Sequence, residues 1–334
     1  MILLTGGAGF IGAHTIEHIL ATTDQTVTVL DSLTYAGDVK RMTDVKGFDP
    51  ARVRVHWHDL RAPIDGQLAR RIGDVDTVIN MASESHVDRS ISAPREVIQN
   101  NVSLAVNMLE YARQVKPRVF IQVSTDEVYG AAREGQSHSE WETHAPSNPY
   151  AASKAAQESI AFAYWRTFGV PLVITNTMNN FGERQHREKF IPIIVRSLLR
   201  GEPIPLHGQY DPVLGWKASS RVWLHARNHA DALLSIADWG ARDYDGTPDA
   251  RPERWHVAGD EDLTGDEVVR RAAQALDLPY EIEWVDYHST RPGHDMRYSL
   301  NGGKLAAAGW KPPLSFGASF TKTVRWMRDH QDWL

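Results

Sequence analysis

The chain has 334 residues, 42% hydrophobic and 23% charged, which is ordinary globular usage and excludes collagen-like repeats, coiled coil and a disordered chain. Lys and Arg number 36 against 42 Asp and Glu; the net charge of −6 argues against nucleic-acid and anionic-membrane partners, so any anion must be held by a local site. With no cysteine, disulfides, iron–sulfur clusters, thiol nucleophiles and cysteine-ligated zinc are excluded, and at roughly 150 residues per domain the length suggests two domains.

Position 1 opens directly into the apolar run Met1 to Leu4, with no basic leader and no stretch of about 20 apolar residues, a pattern that reads as cytoplasmic with no membrane span. Similar short runs recur at Thr26 to Leu30, Val53 to Trp57, Asp76 to Met81, Arg118 to Val123 and Pro171 to Thr175. Between them, Gly12 to Ala21, Ala93 to Gln114 and Ala151 to Phe168 have helical periodicity. This alternation predicts an α/β fold, a Rossmann-type doubly wound parallel sheet, over the first half.

After Thr175 the pattern changes. Asn176 to Arg187 is polar, Phe190 to Arg200 reads as a helix, and Gly208 to Ser220 reads as a loop. Val222 to Leu224 is expected to be a strand returning to the first domain, followed by a helix from His229 to Trp239. Ala241 to Arg254 reads as an exposed connection. Thr264 three residues before Glu267 marks a capping box for a helix to Leu276, and Phe316, Phe320, Val324 and Met327 repeat at helical spacing. The predicted division is a dinucleotide-binding domain of residues 1–175 plus about 221–240, and a smaller C-terminal α/β substrate domain of 176–220 and 241–334.

The first strand runs into Thr5-Gly6-Gly7-Ala8-Gly9-Phe10-Ile11-Gly12 and then a helix, while Asp31 ends the second strand 19 positions after Gly12. Gly6, Gly9 and Gly12 let the backbone turn and approach a pyrophosphate at the helix N-terminus, and Asp31 would accept from ribose hydroxyls and repel a 2′-phosphate. The expected cofactor is therefore NAD rather than NADP. His14-Thr15-Ile16-Glu17-His18 in the same helix matches a zinc-protease spacing, but it lies where the helix should face the dinucleotide. The pairs His56/His58 and His225/His229 show no third ligand, so no metal is expected.

The fifth strand ends in Ser124-Thr125-Asp126-Glu127, and Tyr150-Ala151-Ala152-Ser153-Lys154 follows Thr125 by 25 residues. One helical turn puts Tyr150 and Lys154 on one face, where an ammonium can lower the phenol's pKa. Thr125, Tyr150 and Lys154 are the candidate catalytic residues on this spacing, with Asp126 and Glu127 lying between the hydroxyl and the Tyr/Lys pair.

With these motifs the sequence resembles the extended short-chain dehydrogenase/reductase superfamily of nucleotide-sugar enzymes, and within it the dTDP-glucose 4,6-dehydratases. The matching segments are TGGAGFIG (Thr5 to Gly12), DSLTYAG (Asp31 to Gly37), ASESHVDRS (Ala82 to Ser90), STDEVYG (Ser124 to Gly130), NPYAASKAAQE (Asn148 to Glu158), NNFG (Asn179 to Gly182), EKFIP (Glu188 to Pro192) and RPGHDMRY (Arg291 to Tyr298). The resemblance implies a nucleoside-diphosphate hexose substrate, no net redox, and formation of a 4-keto-6-deoxy sugar. Tyr150, Lys154 and Thr125 would serve oxidation at carbon 4, with Glu127 as base at carbon 5 and Asp126 as acid at the 6-hydroxyl. It further implies NAD contacts from Phe10, Ile11, Asp31, Ser32, Leu33, Thr34, Asp59, Leu60, Met81, Ala82, Ser83, Ser85, Asn100, Tyr150, Lys154 and Asn180. Substrate contacts would come from Ser85, Thr125, Asn179, Lys189, Phe190, Ile191, Pro192, Pro205, His207, Arg221, His256, His294, Asp295, Arg297 and Tyr298. Arg221 is the expected diphosphate clamp, and a homodimer through Ala93 to Gln114 and Ala151 to Phe168 is implied.

Several positions depart from the family pattern. His256 stands for an Asn expected at the diphosphate, Arg221-Val222-Trp223 for Arg-Asp-Trp, Arg227-Asn228 for an acidic pair and Asn100 for a Thr, and Gln209 to Ser220 is longer than usual. The rival readings are an epimerase or 5,6-dehydratase of the same superfamily and a non-catalytic NAD-binding sensor.

Overall fold

Apolar, β-branched runs form strands covered on both faces, and the amphipathic segments between them supply the covering helices. The computed structural model describes residues 1–287, 293 and 295–334. Its first half contains β1 (Ile2–Thr5), α1 (Phe10–Thr22), β2 (Val27–Asp31), α2 (Val39–Thr43), β3 (Val53–Trp57), α3 (Gly66–Ile72), β4 (Thr77–Asn80), α4 (Val87–Ser92) and α5 (Pro94–Val115). Next come β5 (Val119–Thr125), α6 (Pro149–Phe168), β6 (Leu172–Thr177), β7 (Asn179–Phe181), α7 (Phe190–Arg200), β8 (Ile204–Asp211) and β9 (Gly215–Ala218). The remainder holds β10 (Ser220–His225), α8 (Ala226–Trp239), β11 (Glu253–Val257), β12 (Glu261–Thr264), α9 (Gly265–Leu276), β13 (Ile282–Asp286), β14 (Arg297–Tyr298) and the helices Gly303–Ala307 and Phe316–Asp329.

The large sheet has seven strands, the six runs of the first half and β11, in the order β11-β6-β5-β4-β1-β2-β3, all paired in parallel. The order reverses between β1 and β4, beside which open α/β sheets bind their ligands. The seventh strand, β11, begins inside the stretch read as an exposed connection. Arg254 and His256 disguise it as polar, yet both are buried because each finds polar partners there.

Two other expectations are corrected. Gly208 to Ser220 is not a loop: β8 and β9 form an antiparallel hairpin from Gly208↔Ala218 to Asp211↔Gly215, with β13 parallel to β8. Aromatic stacking supports it, Trp216 lying 5.5 Å from Trp284 with the rings nearly parallel. Val222 to Leu224 does form a strand, β10, but it joins a small sheet with β12, β14 and β7 instead of the large one, whose edge beyond β6 is already taken by β11.

Leu4, Ile16, Val29, Leu233 and Ile236 are buried on one face of the large sheet, and Leu3, Leu30, Met108, Phe120 and Trp165 on the other. A separate core joins Ile191, Ile194 and Val268 to Phe316, Phe320, Val324 and Met327, so the final helix docks by the predicted stripe. Each such side chain contributes roughly 1.5–3 kcal/mol. The capping box is also present, Glu267 Oε2 accepting from Thr264 N at 2.9 Å.

Candidate active site

The glycine loop is shaped by close backbone approach. A Cβ on Gly12 would lie 2.2 Å from the Gly6 carbonyl oxygen, so a side chain there would open the turn. Helix α1 starts after Gly9 with no side-chain cap, leaving its first-turn N–H groups for an anion. Asp31 is buried at the end of β2 and accepts from Ala8 N and Leu33 N, both at 2.9 Å, which fixes its carboxylate at the loop. This cradle fits a dinucleotide: bare amides for the pyrophosphate, and a carboxylate with lone pairs left for ribose hydroxyls. Ser32, Leu33 and Thr34 are exposed beside it, and Leu33 has the left-handed φ of 49°. Met81 and Ala82 reach the same loop through Thr5 Oγ1, which accepts from both of their amides at 3.0 Å.

Beyond β5, one 3₁₀ turn, Asp126–Tyr129, carries both carboxyls. Thr125 Oγ1 donates to Asp126 Oδ1 at 2.9 Å and accepts from Glu127 N at 3.3 Å, and the Thr125 hydroxyl acts on Tyr150, favouring its ionised form. Tyr150 and Lys154 sit on α6, whose N-cap is Asn148 and whose first residue is Pro149. The five candidate catalytic residues are thus contiguous at the carboxyl end of β5.

Burial pushes the Asp126 carboxyl up to about 7, reinforced by the neighbouring Glu127 and opposed by the Thr125 hydroxyl. Burial also raises Glu127, but the Asn148 amide and the charges of Arg221 and Lys189 oppose that rise. Lys154 is lowered to about 8 by burial, with Glu158 pulling it back. Its ammonium donates to Val123 O at 2.8 Å and Gln157 Oε1 at 2.6 Å. The sequence expects Lys154 to lower the Tyr150 pKa; here it lies well above its usual range, because burial and the Glu127 and Asp126 carboxyls outweigh other influences.

Other predicted residues divide by their surroundings. Lys189, Arg221, Asp295 and Tyr298 act electrostatically on or with Glu127, so the structure gathers them at the carboxyls. Arg221 Nη2 donates to Tyr287 Oη at 3.0 Å and Asp295 O at 2.8 Å, and its guanidinium lies 4.6 Å from the Tyr298 ring. Asn179 is on β7 opposite Trp223, against which Phe190 stacks. Ile191 and Pro192 are buried, and Pro205 and His207 lie on β8. Asp59 pairs with Arg61, Leu60 is buried, and Ser83 and Ser85 lie on the segment after β4. Asn100 donates to Glu84 Oε1 at 2.6 Å, and Asn180 to Thr177 Oγ1 at 3.1 Å. Arg297 is held by Asp262 and by the carbonyls of Arg133 and Gln136. His294 lies outside the described residues.

His256 requires a correction. It is fully buried, with Nε2 2.9 Å from Tyr129 Oη, so it offers no surface to a diphosphate. The protease-like spacing also disperses: His14 Nε2 meets Glu183 O, Glu17 pairs with Arg184 and Arg227, and His18 with Asp231. Sequence reasoning passed over Asn148, Gln157 and Glu158 as site residues. The first was visible as the Asn before a Pro at a helix start, and the others as polar residues one turn beyond Lys154.

The NAD dependent epimerase/dehydratase family matches residues 2–247. The chain is 33% identical to dTDP-glucose 4,6-dehydratase of Salmonella typhimurium over 360 residues, covering all of this chain and 94% of that protein. It is 34% identical to dTDP-glucose 4,6-dehydratase 1 of Escherichia coli K12, with 100% and 94% covered. Among solved structures, DesIV of Streptomyces venezuelae, a dTDP-glucose 4,6-dehydratase with NAD bound, superposes with a TM-score of 0.86 at 37% identity, covering 99% of this chain and 98% of that one. A UDP-glucose 4-epimerase of Thermus thermophilus, also with NAD, has a TM-score of 0.83 at 28% identity over 98% of each chain.

Proposed function

Because the chain belongs to the NAD-dependent epimerase/dehydratase family, we propose that it is a nucleotide-sugar 4,6-dehydratase that converts dTDP-glucose to the 4-keto-6-deoxy sugar nucleotide. The observation that carries this reading is the Asp126–Glu127 pair beside Tyr150: an epimerase needs only the tyrosine chemistry, whereas loss of water across carbons 5 and 6 needs an acid and a base side by side.

The Gly6 to Gly12 loop and Asp31 would hold NAD, which would supply a reversible hydride acceptor for oxidation at carbon 4 and reduction at carbon 6. Tyr150 takes the proton of the 4-hydroxyl as phenolate, a form that the positive charge of bound oxidised nicotinamide would favour against the burial and the two carboxyls that raise its pKa. The ketone acidifies the proton on carbon 5, which Glu127 removes as water is lost, and carbon 5 takes a proton back when carbon 6 receives the hydride. Asp126, with a pKa of about 7, retains a proton to give to the departing 6-hydroxyl, which leaves as water. Burial raises both acids, but Glu127 receives an amide donor and two cationic neighbours, and its negative charge in turn helps keep Asp126 protonated.

In this reading residues 1–175, with α8 and β11 against them, hold the cofactor, while 176–225, which includes Arg221 on β10, and the rest of 241–334 hold the nucleotide sugar. The protein works in the cytoplasm, where both compounds are made; no helix among the described residues is long and apolar enough to cross a membrane. It forms a homodimer through α5 and α6, supported by the exposure of Ile98 on the first and Phe168 on the second. Sedimentation tests the dimer. Incubation with dTDP-, UDP-, GDP- and CDP-hexoses without added reductant, followed by mass spectrometry, tests the activity. Loss of one water from dTDP-glucose is expected; an unchanged mass with an inverted stereocentre would replace the dehydratase with an epimerase.

A further inference from the structure

We infer that Asn148 is a positioning residue for carbon 5 proton transfer: one face of its amide caps the helix that carries Tyr150 and Lys154, and the other holds the Glu127 carboxylate. The inference rests on the dehydratase reading for its chemistry but not for its geometry. Asn148 Oδ1 accepts from Ala151 N at 2.9 Å, and Asn148 Nδ2 donates to Glu127 Oε2 at 2.9 Å. The side chain is buried. A capping requirement alone is met equally by Asn, Asp or Ser; an ionised Asp has no donor for the base, Ser has donor and acceptor on one short-reaching oxygen, and the amide presents them on separate atoms, Oδ1 to the helix and Nδ2 to the base.

The surrounding backbone keeps this amide in place. Ala145 N donates to Val128 O at 3.0 Å, pinning the segment before α6 to the carboxyl-bearing turn. A Cβ on Gly130 would lie 2.4 Å from Ala145 O, so the two segments touch with no side chain between them. Ser147 Oγ donates to Asp295, anchoring the residue before Asn148 to the other side of the site.

The charged and titratable groups acting on Glu127 come from every adjoining element. They are Asp126 on its own turn, Tyr150 on α6, Lys189 at the start of α7, Arg221 on β10, and Asp295 and Tyr298 before and on β14. Of the neutral groups, Asn148 donates directly to the carboxylate, which favours the ionised base. Replacing the amide donor with a second carboxylate reverses that preference while leaving the cap intact.

The test compares the native protein with Asn148→Asp and Asn148→Ser. The carboxyl resonance of Glu127, in protein labelled with ¹³C at the glutamate side-chain carboxyl, is the one missing from Glu127→Gln; its titration midpoint is followed in each variant. Asn148→Asp is expected to raise the midpoint by about one unit or more, as adjacent carboxyls do, with a thermal midpoint near the native one in acid that falls as pH rises, opposite in sense to the activity. On dTDP-glucose its kcat, relative to the native protein at the same pH, is expected to fall by up to about tenfold below the shifted midpoint, the tenfold corresponding to one unit, and to approach the native value above it. Asn148→Ser should show a smaller shift. An unmoved Glu127 midpoint in Asn148→Asp, or losses that follow thermal stability at every pH, would overturn the inference. A shifted midpoint in a protein that leaves dTDP-glucose unchanged would support the inference and sink the dehydratase reading.

Discussion

Arg254 Nη2 on β11 lies 2.6 Å from Glu158 Oε2 on α6, and both side chains are buried. The other Glu158 oxygen accepts from Asn176 Nδ2 at 2.7 Å, and that amide also donates to Thr125 O at 3.0 Å. The seventh strand is therefore tied to the helix one turn beyond Lys154 and, through Asn176, to the end of β5. Burial desolvates both charges, so the pair holds only while each has the other.

Glu158→Gln leaves Arg254 buried without its counter-charge and is expected to cost about 3–5 kcal/mol. Denaturant unfolding should show this as a lower midpoint, with partial recovery when Arg254→Met is added. A single variant as stable as the native protein would mean that the ion pair does not bear on the fold.

Asp126 gives a stability prediction with a definite sign. Its pKa, about 7, lies above the 3.8 of an exposed aspartate, so folding takes up a proton between those values. Its contribution to stability is then present at low pH and is lost as pH rises from about 4 to about 7. Asp126→Asn should unfold at a higher temperature than the native protein at pH 8, with a smaller difference at pH 5, while losing dehydration. An equal difference at both pH values would contradict the raised pKa.

Legibility followed the physics of each segment. The first six strands, the glycine loop and the places of Asp31, Thr125, Tyr150 and Lys154 at strand ends and on one helix face could be read because apolar runs, backbone turns and helical spacing leave local patterns, whereas Asp126 and Glu127 stood out only through the family resemblance. β11 could not, since Arg254 and His256 look like surface residues until Glu158 and Tyr129 appear beside them. The β8–β9 hairpin was hidden because the Trp216–Trp284 stack that supports it joins segments far apart in sequence. The same holds for His256, whose partner Tyr129 lies 127 positions away, and for the Lys154 contacts, which depend on where Val123 and Gln157 point.

Glu127→Gln keeps the hydrogen-bonding shape but cannot accept the carbon 5 proton. Product formation should fall by about 100-fold or more, the range for loss of a positioned base. Solvent deuterium uptake at carbon 5 should fall in parallel. Native exchange in this variant would move the base to another residue.

Asp31→Ala removes the acceptor that faces the loop amides of Ala8 and Leu33. Loss of a charge-assisted hydrogen bond, about 1.5–3 kcal/mol, corresponds to roughly tenfold to more than a hundredfold weaker NAD binding. Cofactor titration followed by tryptophan fluorescence should show NAD weakened more than NADP. Equal weakening of both would confine Asp31 to support of the loop.

The most direct measurement follows one hydrogen through the reaction. dTDP-glucose carrying deuterium at carbon 4 is incubated with the protein in ordinary water, without added reductant, and the product is read by NMR and mass spectrometry. The account predicts loss of one water, a ketone at carbon 4 and the deuterium on carbon 6. Deuterium retained at carbon 4, with the mass unchanged and the stereocentre inverted, would contradict it.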